Sequence, residues 1–141
     1  MLLTLIIISC EKDSDSPSLA IIEIINPPEA PEIYTNNNIE PKIRIRNTGE
    51  VDISSFSIGY YIDINNTAHG YAVGPRTTYF EQLKPNDEII VTLDKWTDYP
   101  TVDFPVEDGT HMLFLDIYQI NSDLLNKGDN GFIKRLFILK E

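Results

Sequence analysis

The feature that most constrains the fold is a repeated alternation of apolar and polar residues with a period of two. In residues 39–47, IEPKIRIRN, three isoleucines fall on one side of an extended chain, while Lys42, Arg44 and Arg46 fall on the other. Successive side chains of a β-strand point to opposite faces, so this pattern predicts a strand that is buried on one side. Residues 56–64, FSIGYYIDI, repeat the pattern with Phe56 and the isoleucines on one side. No segment has clear helical periodicity.

Turn residues separate these runs along the whole chain. The first run, residues 19–25, ends at Asn26-Pro27-Pro28, and Asn47-Thr48-Gly49, residues 84–87 and Asp108-Gly109 separate later runs. Short alternating strands between such turns are typical of a sandwich of two sheets. The sequence therefore predicts an all-β fold, an immunoglobulin-like antiparallel β-sandwich of about seven to nine strands.

The core should come from the apolar side of each strand. Residues 110–120, THMLFLDIYQI, form the most hydrophobic run, which predicts a central strand. The predicted core includes Ile43, Ile45, Ile58, Tyr60, Val91, Leu93, Leu113, Leu115 and Ile117.

The chain begins MLLTLIIISCEKDSDSPS, and its one cysteine, Cys10, stands where an apolar run becomes acidic. The apolar run is too short for a transmembrane helix but fits the hydrophobic part of a secretory signal. Residues 7–10, Ile-Ile-Ser-Cys, resemble a bacterial lipobox, in which the cysteine is acylated and the peptide is cut before it. The alternative is a first β-strand with Cys10 as a small buried residue. The absence of Lys or Arg before the apolar run departs from the usual signal pattern.

The lipobox resemblance gives a division of the chain into three parts. It implies a signal peptide at residues 1–9, a lipidated Cys10 with a flexible acidic tether at residues 10–18, and one domain at residues 19–141. Residues 11–15 resemble the acidic tract that follows the lipidated cysteine in surface lipoproteins of Bacteroidota. We therefore expect the chain to be held by its lipid at the outer membrane, on the cell surface, with the periplasmic face as the alternative.

The net charge of −11 limits the classes of partner. An acidic chain repels the phosphates of nucleic acids, so a nucleic-acid-binding function is not predicted. With Cys10 lipidated, no disulfide forms within the chain, and the domain must be held together by its core or by a bound cation.

Several segments in order resemble a known bacterial domain family. LAIIEI, PKIRIRNTGEV, FSIGYYID, LKPNDEIIVTL and DGTHMLFLDIYQIN are similar to the CARDB-type immunoglobulin-like domain, over residues 19–140. The connection NSDLLNKGDNG is longer than the corresponding loop of that family. The resemblance implies the sandwich fold, a cell-surface setting and a role in adhesion, and it implies no catalytic residues.

The sequence contains little that indicates catalysis. Its two histidines, His69 and His111, lack the sequence context of a hydrolytic triad, and no serine lies in a GxSxG motif. His111 begins a predicted strand, where we expect it to bond to backbone or water. An acidic chain always offers some pair of carboxylates, so a small hydrolase is kept only as the least favoured alternative. We predict that the protein is not an enzyme.

One loop suggests calcium as the only candidate cofactor. The connection NSDLLNKGDNG brings together oxygen donors, which Ca²⁺ prefers, and the candidate ligands are Asp123, Asn126, Asp129 and Asn130. Their spacing is not that of an EF-hand, and Asn, Asp and Gly are also the ordinary residues of a hairpin turn.

A second loop suggests a binding site. KWTDYPTVDF, residues 95–104, concentrates aromatic and acidic residues where the strand pattern stops: Trp96, Tyr99, Phe104, Asp98 and Asp103. Exposed aromatics of this kind stack on sugars or anchor a protein partner. The alternative is that Trp96, the only tryptophan, covers one end of the core.

Besides the small hydrolase, two functions remain open. The first is a lipid-anchored, non-enzymatic adhesion module that binds a protein or glycan through aromatic loop residues. The second is an accessory subunit of a larger outer-membrane complex, which would carry a contiguous apolar patch on a sheet face.

Overall fold

The alternating segments form the expected strands. The computed structural model describes residues 16–35, 38–63, 72–96, 106–125 and 133–140. Within these ranges there are nine strands: β1 Leu19–Asn26, β2 Ile33–Tyr34, β3 Lys42–Asn47, β4 Phe56–Asp63, β5 Ala72–Tyr79, β6 Glu88–Thr92, β7 Gly109–Ile120, β8 Asp123–Leu124 and β9 Ile133–Leu139. In the same ranges, no helix has the length and apolar character needed to cross a membrane.

The strands build two sheets, as expected for an immunoglobulin-like sandwich. The smaller sheet has the order β1-β3-β6, and the larger has the order β2-β9-β7-β4-β5, with β8 paired to β7. All the pairings are antiparallel except that of β2 with β9. Strand β2 belongs to the Pro-rich stretch after β1. Its two residues, Ile33 and Tyr34, are too few to show an alternating pattern in the sequence.

The core lies between the sheets and confirms the predicted inward faces. All nine predicted core residues are buried. Phe56, Phe137 and Trp96 are among the largest side chains that join them. The period-two pattern therefore identified the inner faces correctly.

The residue before β1 contacts the turn that follows β3. The Ser18 carbonyl oxygen accepts hydrogen bonds from Thr48 N at 2.9 Å and Gly49 N at 3.2 Å. A Cβ at Gly49 would lie 2.8 Å from Ser18 N, so a close approach of two chain segments requires this glycine. The Asn47 side chain is fully buried and its Oδ1 accepts a hydrogen bond from Gly49 N at 3.0 Å.

Side-chain hydrogen bonds tie the two sheets together along both sides. On one side Arg135 Nη2, from β9, donates to the carbonyl oxygen of Ile24 in β1 at 3.0 Å. On the other side the Tyr79 hydroxyl, from β5, donates to the Thr92 carbonyl oxygen in β6 at 2.6 Å. Both acceptors belong to the outer strands of the smaller sheet, so these bonds cap edges at which a further strand could otherwise pair.

Candidate functional site

The outward face of the smaller sheet is dominated by ion pairs. Arg44 Nε lies 3.1 Å from a carboxylate oxygen of Glu23, and Arg46 Nε donates to Glu88 at 2.7 Å. Ile22 and Ile90, on strands of the same sheet, are also exposed. Exposed ion pairs of this kind contribute little to stability and keep a surface solvated. This face therefore has the character expected of the outside of a sandwich.

The outward face of the larger sheet is different, because aromatic side chains occupy its centre. Across β9, β7 and β4, Lys134, Phe114 and Tyr61 lie side by side. The neighbouring row across β7, β4 and β5 contains Asp116, Gly59 and Arg76. Outward positions of a sandwich are normally polar, so this composition is unusual.

Tyr118 lies over the gap that Gly59 leaves in the sheet. A Cβ at Gly59 would overlap the Tyr118 ring, so the ring packs directly on the glycine backbone. On the other side of the ring, the Arg76 guanidinium carbon lies 3.6 Å from the ring centroid, a cation–π contact. The Tyr118 hydroxyl is hydrogen-bonded to the Tyr61 hydroxyl. Tyr118 is therefore held on both ring faces and at its hydroxyl.

The surroundings of Tyr118 also affect its ionisation. Burial raises the pKa of its phenol to about 12, the Tyr61 hydroxyl adds to the increase, and the charge of Arg76 opposes it. The phenol is neutral at physiological pH and can act as a hydrogen-bond donor.

We call the surface formed by Tyr61, Phe114, Tyr118, Arg76 and Lys134 the aromatic face. Tyr61 is only 7% exposed, so Phe114 and Tyr118 supply its accessible rings. Phe114 also has a cation–π contact, because Lys134 Nζ lies 5.5 Å from its ring centroid.

An exposed apolar side chain borders the aromatic face. Leu136 is 42% exposed and pairs with Met112, two residues from the Phe114–Lys134 pair. Ile33 and Leu124 are also exposed but lie elsewhere in the larger sheet, Ile33 beside Ile138 and Leu124 beside Gln119.

The sequence hypothesis for the 95–104 loop is wrong about Trp96. Its side chain is only 1% exposed and belongs to the core, with its ring centroid 5.9 Å from that of Tyr60. Trp96 N also donates to the Ile39 carbonyl oxygen at 2.9 Å. A buried ring cannot anchor a partner, so Trp96 covers the core as in the alternative interpretation.

The other residues of that hypothesis lie outside the described ranges: Tyr99, Phe104, Asp98 and Asp103. Of the calcium candidates, Asp123 is exposed in β8, and Asn126, Asp129 and Asn130 lie outside the described ranges, as does Cys10. Within those ranges, no group of three or more His, Cys, Asp or Glu residues is arranged to hold a metal ion.

His111 has a structural position. It is buried, its Nε2 donates to the Glu107 carbonyl oxygen at 2.7 Å, and its ring centroid lies 5.6 Å from that of Phe137. The expected bond to backbone is confirmed, although His111 points into the core.

A cleft of about 180 Å³ opens between β1 and the larger sheet, and its lining consists of Ser18, Leu19, Ala20, Ile21, Thr48, Leu115, Ile117 and Ile133. Among the described residues that line this cleft, none is an acid or a base.

The comparisons with known proteins depend on structure, because no protein-family model and no curated protein match the chain. The CARDB domain of a Pyrococcus furiosus protein, crystallised in complex with di-metal ions, aligns with a TM-score of 0.53 and 18% identity. The alignment covers 89% of this chain and 90% of that one. The fold is that of a CARDB-like immunoglobulin-like domain.

Parts of much longer chains have a similar fold. β-Glucosidase 3B of Thermotoga neapolitana aligns with a TM-score of 0.58 and 14% identity over 89% of this chain, and a β-glucosidase of Erythrobacter marinus with 0.53 and 13% over 88%. In both cases the match spans only 16% of the enzyme. At these identities the likeness concerns the fold alone.

The sequence did contain a signal for the aromatic face. In FSIGYYIDI the outward positions include Gly59 and Tyr61, and in THMLFLDIYQI they include Phe114 and Tyr118. Two neighbouring strands thus carry aromatic residues on the side that faces away from the core. Recognising them as one surface requires the pairing of β4 with β7, which the sequence alone does not give.

Proposed function

We propose that this chain is a lipid-anchored, non-enzymatic binding module of the bacterial outer membrane, displayed on the cell surface, which docks onto a partner protein through its aromatic face. The observation that carries the proposal is the difference between the two outward faces. The strands of the smaller sheet present ion pairs together with the exposed Ile22 and Ile90, and the larger sheet presents the partly exposed rings of Phe114 and Tyr118, each with a cation beside it. Aromatic residues and arginine are enriched in the centres of protein interfaces.

Of the two functions left open by the sequence, the aromatic face favours an accessory subunit over an adhesion module. The prediction of adhesion came from the family resemblance and from aromatic loop residues, of which Trp96 is buried. A sheet face suits a flat contact with a larger protein, as expected for a subunit of an outer-membrane complex. The occurrence of the fold as a small part of long chains agrees with a module that works beside a larger body.

A pair of matched positions allows a direct test. Leu136 is 42% exposed on the outside of the larger sheet, and Ile90 is 48% exposed on the outside of the smaller one. A photoreactive benzoylphenylalanine replaces either residue in the full-length chain in its own cells, and illumination is followed by detection of covalent adducts. Both side chains are apolar, lie on strands and are similarly exposed. A difference in adducts between the two positions therefore reflects the sheet on which each residue lies.

We expect a discrete adduct from position 136 and none from position 90. Protein contact at the larger sheet gives this result because benzophenone reacts only with groups within a few ångströms. The absence of any adduct at 136, or equal adducts at both positions, would contradict docking through the aromatic face.

A further inference from the structure

The cations of the two outward faces have different partners. Arg44 and Arg46 on the smaller sheet each lie near a glutamate. Within the described ranges, Arg76 and Lys134 on the aromatic face have aromatic rings as their partners and no carboxylate. This contrast is notable in a chain with 22 acidic and 11 basic residues, where carboxylates are abundant.

Arg76 is also held in one orientation. Its guanidinium lies over the Tyr118 ring, and that ring is fixed from below by Gly59 and at its hydroxyl by Tyr61. A stacked guanidinium keeps its N–H groups directed along the surface, where a carboxylate accepts two parallel hydrogen bonds. Because the side chain is already ordered, less conformational entropy is lost when a partner binds.

We propose that Arg76 is the recognition residue of the aromatic face and that it binds an acidic side chain, aspartate or glutamate, of the partner protein. This inference depends on the proposed function, because it names the chemistry of the partner at the same face. Lys134 lies three strands away and two residues further along the strands, a separation of about 16 Å, and meets a second acidic group of the partner. Phe114, which is partly exposed, lies between the two cations and contacts an apolar group of the partner there. The neighbouring Tyr61 is only 7% exposed, and its hydroxyl bonds to that of Tyr118.

The charges elsewhere in the protein do not prevent this contact. Asp116 is adjacent to Gly59 but is only 1% exposed and is engaged in interactions within the chain. The net charge of −11 acts from a distance, and salt screens charges separated by more than about 10 Å at 0.1 M ionic strength. A bidentate pair at short range is much less affected, so the local contact determines recognition.

The test uses the chain with benzoylphenylalanine at position 136 and adds a second substitution. Arg76→Gln removes the charge, Arg76→Lys keeps the charge but loses the planar fork, and Arg46→Gln is the control on the opposite sheet. We expect Arg76→Gln to lower the adduct yield about tenfold or more, the effect of truncating an arginine hot spot. The adduct yield of Arg76→Lys should lie between those of the parent and Arg76→Gln, and the yield of Arg46→Gln should equal that of the parent.

Each other outcome has a definite meaning. No adduct in the parent overturns the proposed function itself, whereas an adduct that is unchanged in Arg76→Gln overturns only the role of Arg76. An adduct that resists protease and is removed by glycosidases identifies a glycan and contradicts a protein partner. The thermal midpoints of all variants are compared to check that each is folded. If Arg76→Gln is unstable, the test uses the folded Arg76→Lys variant instead. An adduct yield in Arg76→Lys equal to that of the parent refutes bidentate recognition.

Discussion

Replacement of Trp96 by Ala should destabilise the domain strongly. The side chain is 1% exposed and packs against Tyr60, and a Cβ at Gly74 would lie 3.1 Å from the indole, so the space around the ring is filled. Burying an aromatic side chain removes about 200 Å² from water, worth about 5 kcal/mol at roughly 25 cal/mol per Å². Measured Trp and Phe truncations cost about 3–5 kcal/mol, because the cavity relaxes only in part.

That loss should be large in a thermal scan. For a domain of about 130 residues, the unfolding entropy per residue converts the cost into a decrease of roughly 10 to 20 °C in the thermal midpoint. Circular dichroism or calorimetry should be used, because the variant lacks the only tryptophan. Phe80→Ala is the matched control, since Phe80 is 83% exposed and its truncation should change stability by about 0.5 kcal/mol or less.

The wild-type protein gives an independent check. A buried indole emits at short wavelength and is protected from iodide quenching until the chain unfolds. If Trp96→Ala melts like the wild type, or if iodide quenches the folded protein freely, the indole lies at the surface and the assignment of Trp96 to the core is wrong.

Three further predictions concern the core, the aromatic face and the anchor. Leu115→Ala should cost about 2–5 kcal/mol in urea unfolding, because Leu115 is fully buried between the sheets; a change below 1 kcal/mol would contradict that position. The Tyr118 pKa of about 12 lies above its unfolded value of 10.0, so its contribution to stability is complete below pH 10 and is lost as the pH rises towards 12. Unfolding measured across this range should show a shallower loss in Tyr118→Phe, and an identical slope would refute the shift. Cys10→Ser should move the protein from the membrane fraction to the soluble fraction and abolish incorporation of labelled fatty acid, whereas a wild type that takes up no label would rule out the anchor.

The strands and the core could be predicted from the sequence because both follow from local pattern. Ile43 and Ile45 alternate with Arg44, and such a pattern in a strand determines which side is buried whatever the partner strands are. Turn residues likewise act locally: Asn86 adopts a positive φ of 69°, and Asp87 N donates to the Lys84 carbonyl oxygen at 3.0 Å, as the residues 84–87 predicted.

The binding face depended on contacts between residues far apart in the chain. Arg76, Gly59 and Tyr118 belong to three different strands, and only the pairing of β4 with β5 and β7 places a guanidinium, a tyrosine and a bare stretch of backbone in one stack. Trp96 was misassigned as an anchor for the same reason, because an aromatic residue after a strand has the same local sequence whether it turns outwards or packs on Tyr60. Sequence by itself thus determined the strands, the inward faces and an acidic surface. Tertiary structure decided which aromatic rings became core and which formed a surface, since burial depends on the neighbours that the fold supplies.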